Sequence, residues 1–182
     1  LKDAIGSIIP RQYGEIYHYD AIVSFFRQVS SRDAWIDDRT FSDALIHNNL
    51  YRKNALCKYL LSAIENDGKE QIVTDNLTIE HVMPQNKKLS SEWQKMLGEN
   101  WENDRERYLH TLGNLTLTGY NSELGDRPFA EKKKHFSDVN SKTVALNRFI
   151  CQCDSWNAET IETRATELAS FILKQFPDEV PE

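Results

Sequence analysis

The residues best suited to chemistry lie together in the segment T-I-E-H-V-M-P-Q at Thr78–Gln85. Glu80 and His81 stand side by side there, at the end of a short apolar run and just before Pro84. A carboxylate is a suitable ligand for a hard divalent cation, and a neutral imidazole nearby can take a proton from an attacking water. The pair therefore predicts a site in which a metal ion and a general base act side by side.

A glutamate beside a histidine is weak evidence on its own, because most such pairs are surface residues. Neighbouring residues of a regular strand point to opposite faces, so Glu80 and His81 share a site only if the strand ends or bends there. Pro84 and the polar residues after it are consistent with such an interruption. A second motif, L-G-N-L-T-L-T at Leu112–Thr118, strengthens the prediction, because Asn114 at the start of a second strand can brace the first.

The elements around these motifs predict a mainly α-helical fold with a small β-hairpin. Residues 76–82 and 115–118 have short extended patterns and are predicted as the two strands. Apolar spacing and end signals predict the helices, which cover Tyr17–Val29, about 37–50, 51–65, two short helices within 90–109, Arg127–Lys134, and Ala158 to about Phe176. Either Ser155 or Asn157 is suited to cap the last helix.

The composition of the 182-residue chain narrows its class. Apolar residues make up 40%, with only 7 Gly and 5 Pro, which favours a compact and ordered protein. There is no run of eighteen apolar residues, so no membrane span is predicted. The 3 cysteines include no C-x-x-C pair, which argues against a disulfide framework and a tetrahedral zinc site and favours a reducing cytoplasm.

The net charge of −6 argues against bulk electrostatic attraction to nucleic acid. Its distribution is uneven, however. Residues 80–135 hold nine Lys/Arg against nine Asp/Glu, whereas residues 136–182 hold four against eight. Arg127, Lys132 and Lys133 belong to the densest basic run and are predicted to contact nucleic-acid phosphates, although a solvated helix face explains them equally well.

As a set, these sequence words resemble the C-terminal HNH nuclease domain of GmrSD-type restriction endonucleases, the type IV enzymes that attack modified phage DNA. The similarity covers roughly residues 32–176. The words that carry it are Tyr51-Arg52, Lys58-Tyr59-Leu60-Leu61, Ile79 to Gln85, Leu112 to Leu117, Asn121-Ser122, Pro128-Phe129 with Lys132, and Trp156-Asn157 with Ile161 and Arg164.

This resemblance implies a ββα-metal motif embedded in a helical domain, and a DNA endonuclease that depends on Mg²⁺ or Mn²⁺. His81 would be the general base, and Asn114 would brace the loop beneath it. Glu80 and Asn121 would be the metal ligands. Many motifs of this kind place the last ligand eight or nine residues after the middle asparagine rather than seven, so Asp126 stays open as a competing ligand.

The resemblance also implies an organisation and a setting. The predicted divisions are a linker or leading helix at 1–31, a nuclease domain at 32–176 and a tail at 177–182, with the domain divided into a helical scaffold at 32–75, a ββα-metal core at 76–136 and a C-terminal helical part at 137–176. Since the chain begins at Leu1, we expect it to be cut from a longer cytoplasmic phage-defence protein.

The implied partners are double-stranded DNA, including modified phage DNA, and an N-terminal nucleotide-handling sensor domain of the same longer chain. The reaction would be phosphodiester hydrolysis, with nicking as one outcome. The alternative is a catalytically inactive module of the HNH fold that binds DNA or docks on another domain. Intact Glu80, His81, Asn114 and Asn121 favour the enzyme, while the acidic balance of the chain favours the alternative slightly.

Overall fold

The computed structural model describes residues 36–67, 71–119, 124–138 and 145–176. The chain divides into two compact units, Leu1–Phe41 and Ser42–Glu182. In the described part of the first unit, Asp37 accepts a hydrogen bond from the backbone N–H of Thr40 at 2.7 Å, a contact typical of a helix start. The helix predicted at Tyr17–Val29 lies outside the described residues.

Seven α-helices and two β-strands are found within the described ranges. In chain order they are α1 (Asp38–His47), α2 (Asn54–Glu65), β1 (Thr78–His81), α3 (Ser91–Leu97), α4 (Trp101–Tyr108), β2 (Leu115–Thr118), α5 (Phe129–Phe136), α6 (Ala145–Gln152) and α7 (Ala158–Gln175), with short 3₁₀ turns at Tyr51–Lys53 and Leu112–Asn114. The predicted mainly helical fold class is therefore confirmed. None of the described helices is both long enough and apolar enough to cross a membrane.

The two strands form an antiparallel pair, with Glu80 opposite Thr116 and His81 opposite Leu115. Because α3 and α4 lie between them in the chain, the strands are joined by helices rather than by the tight turn of a simple hairpin. The whole of β2 is buried, and β1 is buried after its first residue. The sheet therefore lies inside the domain, and the helices around it hold its side chains in place.

Local sequence signals explain where the helices begin and end. Ser90 caps α3 by accepting the N–H of Trp93, and Asn157 caps α7 in a reciprocal capping box with Thr160. Gly98 ends α3 with a φ of 91°, in the left-handed region that glycine adopts without strain. The break places Trp93 and Trp101 on different helices.

The core next to the sheet combines large aromatic side chains with aliphatic ones. Its fully buried members include Val82, Met83, Trp93, Leu124, Phe129, Ile150, Trp156 and Ile161. Helix α6 was not predicted from apolar spacing, and its first residues contact α2. The buried carboxylate of Glu65, at the end of α2, accepts the N–H groups of Ala145 and Leu146 at 3.2 and 2.9 Å. A side chain from a distant helix therefore satisfies the first N–H groups of α6.

Candidate active site

Strand β1 delivers Glu80 and His81 to the interior, where their exposed fractions are only 4% and 2%. The regular strand ends at His81. The next residue, Val82, donates its N–H to the backbone oxygen of Asn114 at 3.0 Å. The regular strand therefore ends directly after Glu80 and His81. This is where it has to end if both side chains are to take part in one site.

The carboxylate of Glu80 is bound by an ammonium group. Nζ of Lys132, on α5, donates to Oε1 of Glu80 at 2.7 Å and to the backbone oxygen of His81 at the same distance. Lys132 itself has no exposed surface. Its one cationic group therefore holds both the side chain of Glu80 and the main chain of the following residue.

Burial and charge act against each other in this ion pair. Burial raises the pKa of Glu80, while the nearby ammonium of Lys132 opposes that rise. Burial likewise lowers the pKa of Lys132, and the carboxylate of Glu80 opposes the fall. Each charge thus reduces the desolvation cost of the other, and removing either one would leave the other buried and uncompensated.

His81 meets a second histidine rather than a carboxylate. Its Nε2 lies 3.0 Å from Nδ1 of His110, within hydrogen-bond distance. Tyr51 contacts both rings, stacking on His110 at 5.4 Å between ring centroids and meeting His81 edge-on at 4.6 Å. The backbone oxygen of His110 accepts the N–H of Leu50 at 3.0 Å. The imidazole of His81 is therefore fixed on one side by an aromatic and hydrogen-bonded cluster.

The other side of the His81 ring is different. Its Nδ1 is buried and has no hydrogen-bond partner among the residues that the structure describes. Burial lowers the pKa of His81 to about 3, with smaller contributions from His110 and Lys132. The ring is consequently neutral at physiological pH. A neutral ring carries a lone pair on one of its two nitrogens and is able to accept a proton.

Asn114 holds the segment after His81 with its full hydrogen-bonding capacity. Its Oδ1 accepts the N–H of Met83 at 2.7 Å and the indole N–H of Trp156 at 3.0 Å. Its Nδ2 donates to the backbone oxygens of Met83 at 3.2 Å and Leu109 at 2.9 Å. An amide side chain has two donors and two acceptor positions, so all of them are used here. The position and contacts of Asn114 are those expected of a brace.

The backbone on either side of Asn114 is held by Arg164 of α7. One guanidinium nitrogen donates to the backbone oxygens of Gly113 at 2.7 Å and Leu115 at 2.8 Å, and another donates to that of Leu146 at 3.0 Å. Burial lowers the pKa of Arg164 to about 9, which still leaves it charged at neutral pH.

The close approach of α7 to this turn requires a glycine. A Cβ atom at Gly113 would lie 2.0 Å from the backbone oxygen of Ile161, far inside contact distance. Residues Gly113, Asn114 and Arg164 together form what we call the brace. It joins the ends of β1 and α4 to the N-terminal half of α7, and so connects the site to the rest of the core.

The second metal ligand is not decided by the described residues. Asn121 lies outside them. The negative charge of Asp126 acts on Glu80, because it raises the pKa of Glu80 in addition to the effect of burial. Its Oδ2 also accepts a hydrogen bond from Asn86 at 2.7 Å. Within the described ranges there is no group of three or more His, Cys, Asp or Glu side chains that could hold a metal ion.

The structure places the three residues predicted to contact phosphates in three different settings. Lys132 is buried against Glu80, so its ammonium cannot reach a DNA backbone at the surface. Lys133 is half-buried and donates to the backbone oxygen of Cys153 at 2.7 Å. Arg127 is exposed, and it is paired with Glu131 at 2.8 Å. The exposed basic residues near the site include Lys87 and Lys88, which follow β1 in the chain.

Sequence reasoning missed two partners of the site, and only one left a local signal. Lys132 shares a helix face with Phe129 and Phe136, the other buried residues of α5. A lysine at apolar spacing could therefore have been recognised as buried and paired. His110 gave no such signal, because its contacts with Tyr51 and His81 join parts of the chain that are distant in sequence.

Comparison with known families agrees with this geometry. A family model described as "GmrSD restriction endonucleases, C-terminal domain" matches residues 35–171, which is more than half of the chain. No match was found among curated proteins. The chain therefore belongs to the GmrSD restriction endonuclease family as its C-terminal domain, and it is a nuclease domain with DNA as its substrate class.

Proposed function

We propose that this member of the GmrSD family hydrolyses DNA phosphodiester bonds in an HNH-type, metal-dependent reaction, with His81 as the general base. One observation carries the proposal. A neutral, buried imidazole with an unpartnered nitrogen stands next to a buried carboxylate, at the point where a strand ends. A purely structural role gives no reason to bury both groups and leave one nitrogen without a partner.

The proposed task of His81 is to accept the proton of the attacking water. Three features support it. The ring is uncharged because it is desolvated, its orientation is fixed by His110 and Tyr51, and Nδ1 has no competing partner within the described ranges. A base whose ring is already fixed loses little conformational entropy in reaching the orientation for proton transfer, which is the advantage of a positioned catalyst.

Glu80, with Asp126 or Asn121, is the proposed donor set for Mg²⁺ or Mn²⁺. Carboxylate and amide oxygens suit these cations, and Mg²⁺ commonly binds through one or two carboxylates while keeping several waters. The carboxylate of Glu80 is a donor of the right chemical type, and in this structure its Oε1 is bound by Lys132. When bound, the ion supplies charge that stabilises the phosphoryl and leaving oxygens. Only two protein ligands are proposed, so we expect a modest affinity for the metal.

Lys132 has a different proposed role from the one its sequence position predicted. By holding Oε1 of Glu80 and the backbone oxygen of His81, it fixes the relative positions of the ligand and the base. We therefore propose Lys132 as the residue that orders the pair, and we assign the contact with DNA phosphates to other side chains.

The DNA backbone is proposed to approach the surface formed by the loop after β1. Asn86 in this loop is hydrogen-bonded to Asp126, and Arg105 donates from Nε to the backbone oxygen of Asn86 at 3.0 Å. Lys87, Lys88 and Arg127 are exposed around this contact. Phosphate contacts carry no sequence information, so we expect cleavage with little sequence preference from this domain alone.

The test is a plasmid-nicking assay on the purified chain with Mg²⁺, with Mn²⁺ and with EDTA. We expect relaxation of supercoiled plasmid with either metal and none with EDTA. His81→Ala should lower the cleavage rate by roughly 10²-fold or more, the usual scale for a positioned base. His135→Ala is the matched control, because His135 lies on α5 and has no proposed role.

Two results would contradict this function. One is cleavage by His81→Ala at the rate of the wild type and equal protein concentration. The other is cleavage that persists in EDTA. Binding of DNA without cleavage under every metal condition would instead favour the second candidate, an inactive HNH-fold module that binds DNA or docks on another domain. The ammonium already bound to Glu80 is the observation that favours this alternative.

The biological setting that we propose is that of the family. The domain would act in a longer cytoplasmic restriction protein against phage DNA, including modified DNA, with an N-terminal nucleotide-handling sensor domain in the same chain. The site itself supports only the cutting step. Its few exposed basic residues agree with an enzyme that relies on another domain to bring the DNA to it.

A further inference from the structure

The hydrogen bond between His81 and His110 limits which of their ring nitrogens carry a hydrogen. At 3.0 Å, Nε2 of His81 and Nδ1 of His110 share one hydrogen. A neutral imidazole has an N–H on one ring nitrogen and a lone pair on the other. The ring that donates in this hydrogen bond therefore carries its lone pair on its other nitrogen. The direction of this one hydrogen bond therefore determines which nitrogen of His81 is able to take a proton.

Only one of the two directions leaves His81 able to act as a base. If His110 donates, the hydrogen of His81 is on Nδ1, where it is a buried N–H without an acceptor, a costly arrangement. If His81 donates from Nε2, its Nδ1 carries a lone pair instead. Since Nε2 is occupied in both cases, Nδ1 is the nitrogen that has no partner among the described residues.

We propose that His110 is a positioning residue, which accepts the Nε2–H of His81 and so leaves Nδ1 of His81 as the proton-accepting atom. This inference rests on the proposed function of His81 as the base. Histidines that must present one particular nitrogen are commonly fixed through a hydrogen bond at the other, and the second histidine supplies that bond here.

The surroundings of His110 fit an acceptor whose position is fixed. Tyr51 stacks on its ring with an angle of 9° between the planes. Its backbone oxygen accepts N–H groups from Leu50 and Tyr51 at 3.0 and 3.4 Å. Burial, together with Arg105, lowers the pKa of His110 and favours its neutral form, in which Nδ1 is able to accept. A charged His110 would donate from both nitrogens and reverse the bond.

The tautomer can be read directly, without metal or DNA. Long-range ¹H–¹⁵N correlation spectra of the uniformly ¹⁵N-labelled chain distinguish a protonated from an unprotonated ring nitrogen. The 5 histidines are assigned with His81→Asn and His110→Asn. We expect His81 in the wild type to be in the Nε2–H form, and His110→Ala to turn this single form into a mixture of both tautomers.

The same variants are then compared in single-turnover cleavage. His110→Ala should slow the chemical step by about 10-fold, the scale found when the group that orients a metal-site histidine is removed, while the affinity for DNA stays unchanged. His110→Asn places an amide oxygen where Nδ1 was, so it should restore both the tautomer and most of the rate. His135→Asn controls for the loss of a histidine elsewhere.

The outcomes separate this inference from the proposed function. An Nδ1–H form of His81 in the wild type would overturn the inference, and so would an unaltered tautomer in His110→Ala. If the wild type cut no DNA, the proposed function would fail, yet the spectra would still decide the direction of the hydrogen bond. If His110→Ala did not fold, the spectra of the wild type and of His110→Asn would still decide it.

Discussion

Two neighbouring regions of this domain bury polar groups in opposite ways. In the brace, Asn114 uses all of its donors and acceptors, and Arg164 holds three backbone oxygens. In what we call the reactive edge, formed by Glu80, His81 and Lys132, two buried charges depend on each other and Nδ1 of His81 has no partner. The polar atoms of the brace are hydrogen-bonded with one exception. The reactive edge is held in place, but a ring nitrogen at its centre has no partner among the described residues.

On the proposed function, the brace maintains the fold and the reactive edge performs the chemistry. A buried polar group that is fully hydrogen-bonded contributes to a unique and rigid structure. A buried group without its partner costs free energy, and native proteins retain such groups where they serve a function. The brace has one unpartnered atom of its own, Nε of Arg164, but the other nitrogens of that guanidinium are bound, and its face lies 6.0 Å from the ring of Trp156.

Removing the guanidinium of the brace should have the largest effect on stability. Arg164→Met keeps most of the side-chain volume and leaves the buried oxygens of Gly113 and Leu115 without the guanidinium donor. The oxygen of Leu146 loses the guanidinium as well but keeps its position as an acceptor within α6. We expect the free energy of unfolding to fall by about 3 kcal/mol or more, because each unsatisfied buried group costs about 1–3 kcal/mol. Urea unfolding measures it. Arg148→Met, on an exposed position of α6, should change stability little. Equal effects would show that Arg164 is not a brace.

A single methyl group should damage the same region. Gly113→Ala places Cβ 2.0 Å from a backbone oxygen of α7, and overpacking of this kind typically costs about 1–3 kcal/mol. Gly119→Ala is the matched control, since its Cβ would meet only a leucine methyl at 3.8 Å. Thermal unfolding of the two variants measures the difference. A Gly113→Ala protein as stable as the control would mean that α7 moves away from the turn freely.

The reactive edge should be recognisable by its dependence on pH. The pKa of His81 is lowered to about 3, so below its ordinary value of about 6.5 the unfolded chain takes up a proton that the folded chain excludes. This contribution to stability is complete above pH 6.5 and is lost as the pH falls towards 3. The slope is about 1.4 kcal/mol per pH unit.

Urea unfolding at several pH values tests this dependence. His81→Asn lacks the titrating ring, so its stability should fall less steeply than that of the wild type between pH 6 and pH 4, while the two proteins keep a constant difference above pH 7. The other groups that titrate in this range, including Glu80, are present in both proteins. Parallel curves at all pH values would mean that His81 is protonated as readily in the folded as in the unfolded chain.

The smallest effect is expected at the surface. A Lys87→Ala/Lys88→Ala double variant should bind DNA more weakly at low salt, and its salt slope should fall by about 2, roughly one for each lysine that no longer neutralises a phosphate. Lys134→Ala/Lys174→Ala, which removes two charges from exposed or partly exposed positions on other helices, is the control. Fluorescence anisotropy at two salt concentrations measures both. An unchanged slope in the first variant would remove this loop from the proposed DNA surface.

The sequence predicted those features that depend on local physics. Asn157 was expected as one of two possible caps and is the cap of α7, and the two short β-prone runs form the predicted strands. Gly98 divides the region at 90–109 into the two short helices that were expected. Each of these signals lies within a few residues of the structure it specifies, so a single sequence suffices to read it.

Long-range contacts are what the sequence could not supply. Lys132, Lys133 and Lys134 look alike in the chain, and only the packing of α5 decides that Lys132 turns inward to Glu80. The contacts of His110 and Tyr51 with His81 depend on how distant segments meet. The ββα-metal motif and the position of Asn121 stay predictions, since residues 120–123 lie outside the described residues.

The most direct test of the distinction between the two regions is to measure cleavage rate and free energy of unfolding together on His81→Asn and Asn114→Asp. Asn114→Asp preserves the size of the side chain, and His81→Asn replaces the ring with a smaller polar amide. For His81→Asn we expect cleavage to fall by roughly 10²-fold or more with a loss of stability of about 1 kcal/mol at pH 7. For Asn114→Asp, which loses two buried donors, we expect the larger loss of stability, about 2–4 kcal/mol. A His81→Asn protein that still cuts DNA, or that loses more stability than Asn114→Asp, would contradict the account.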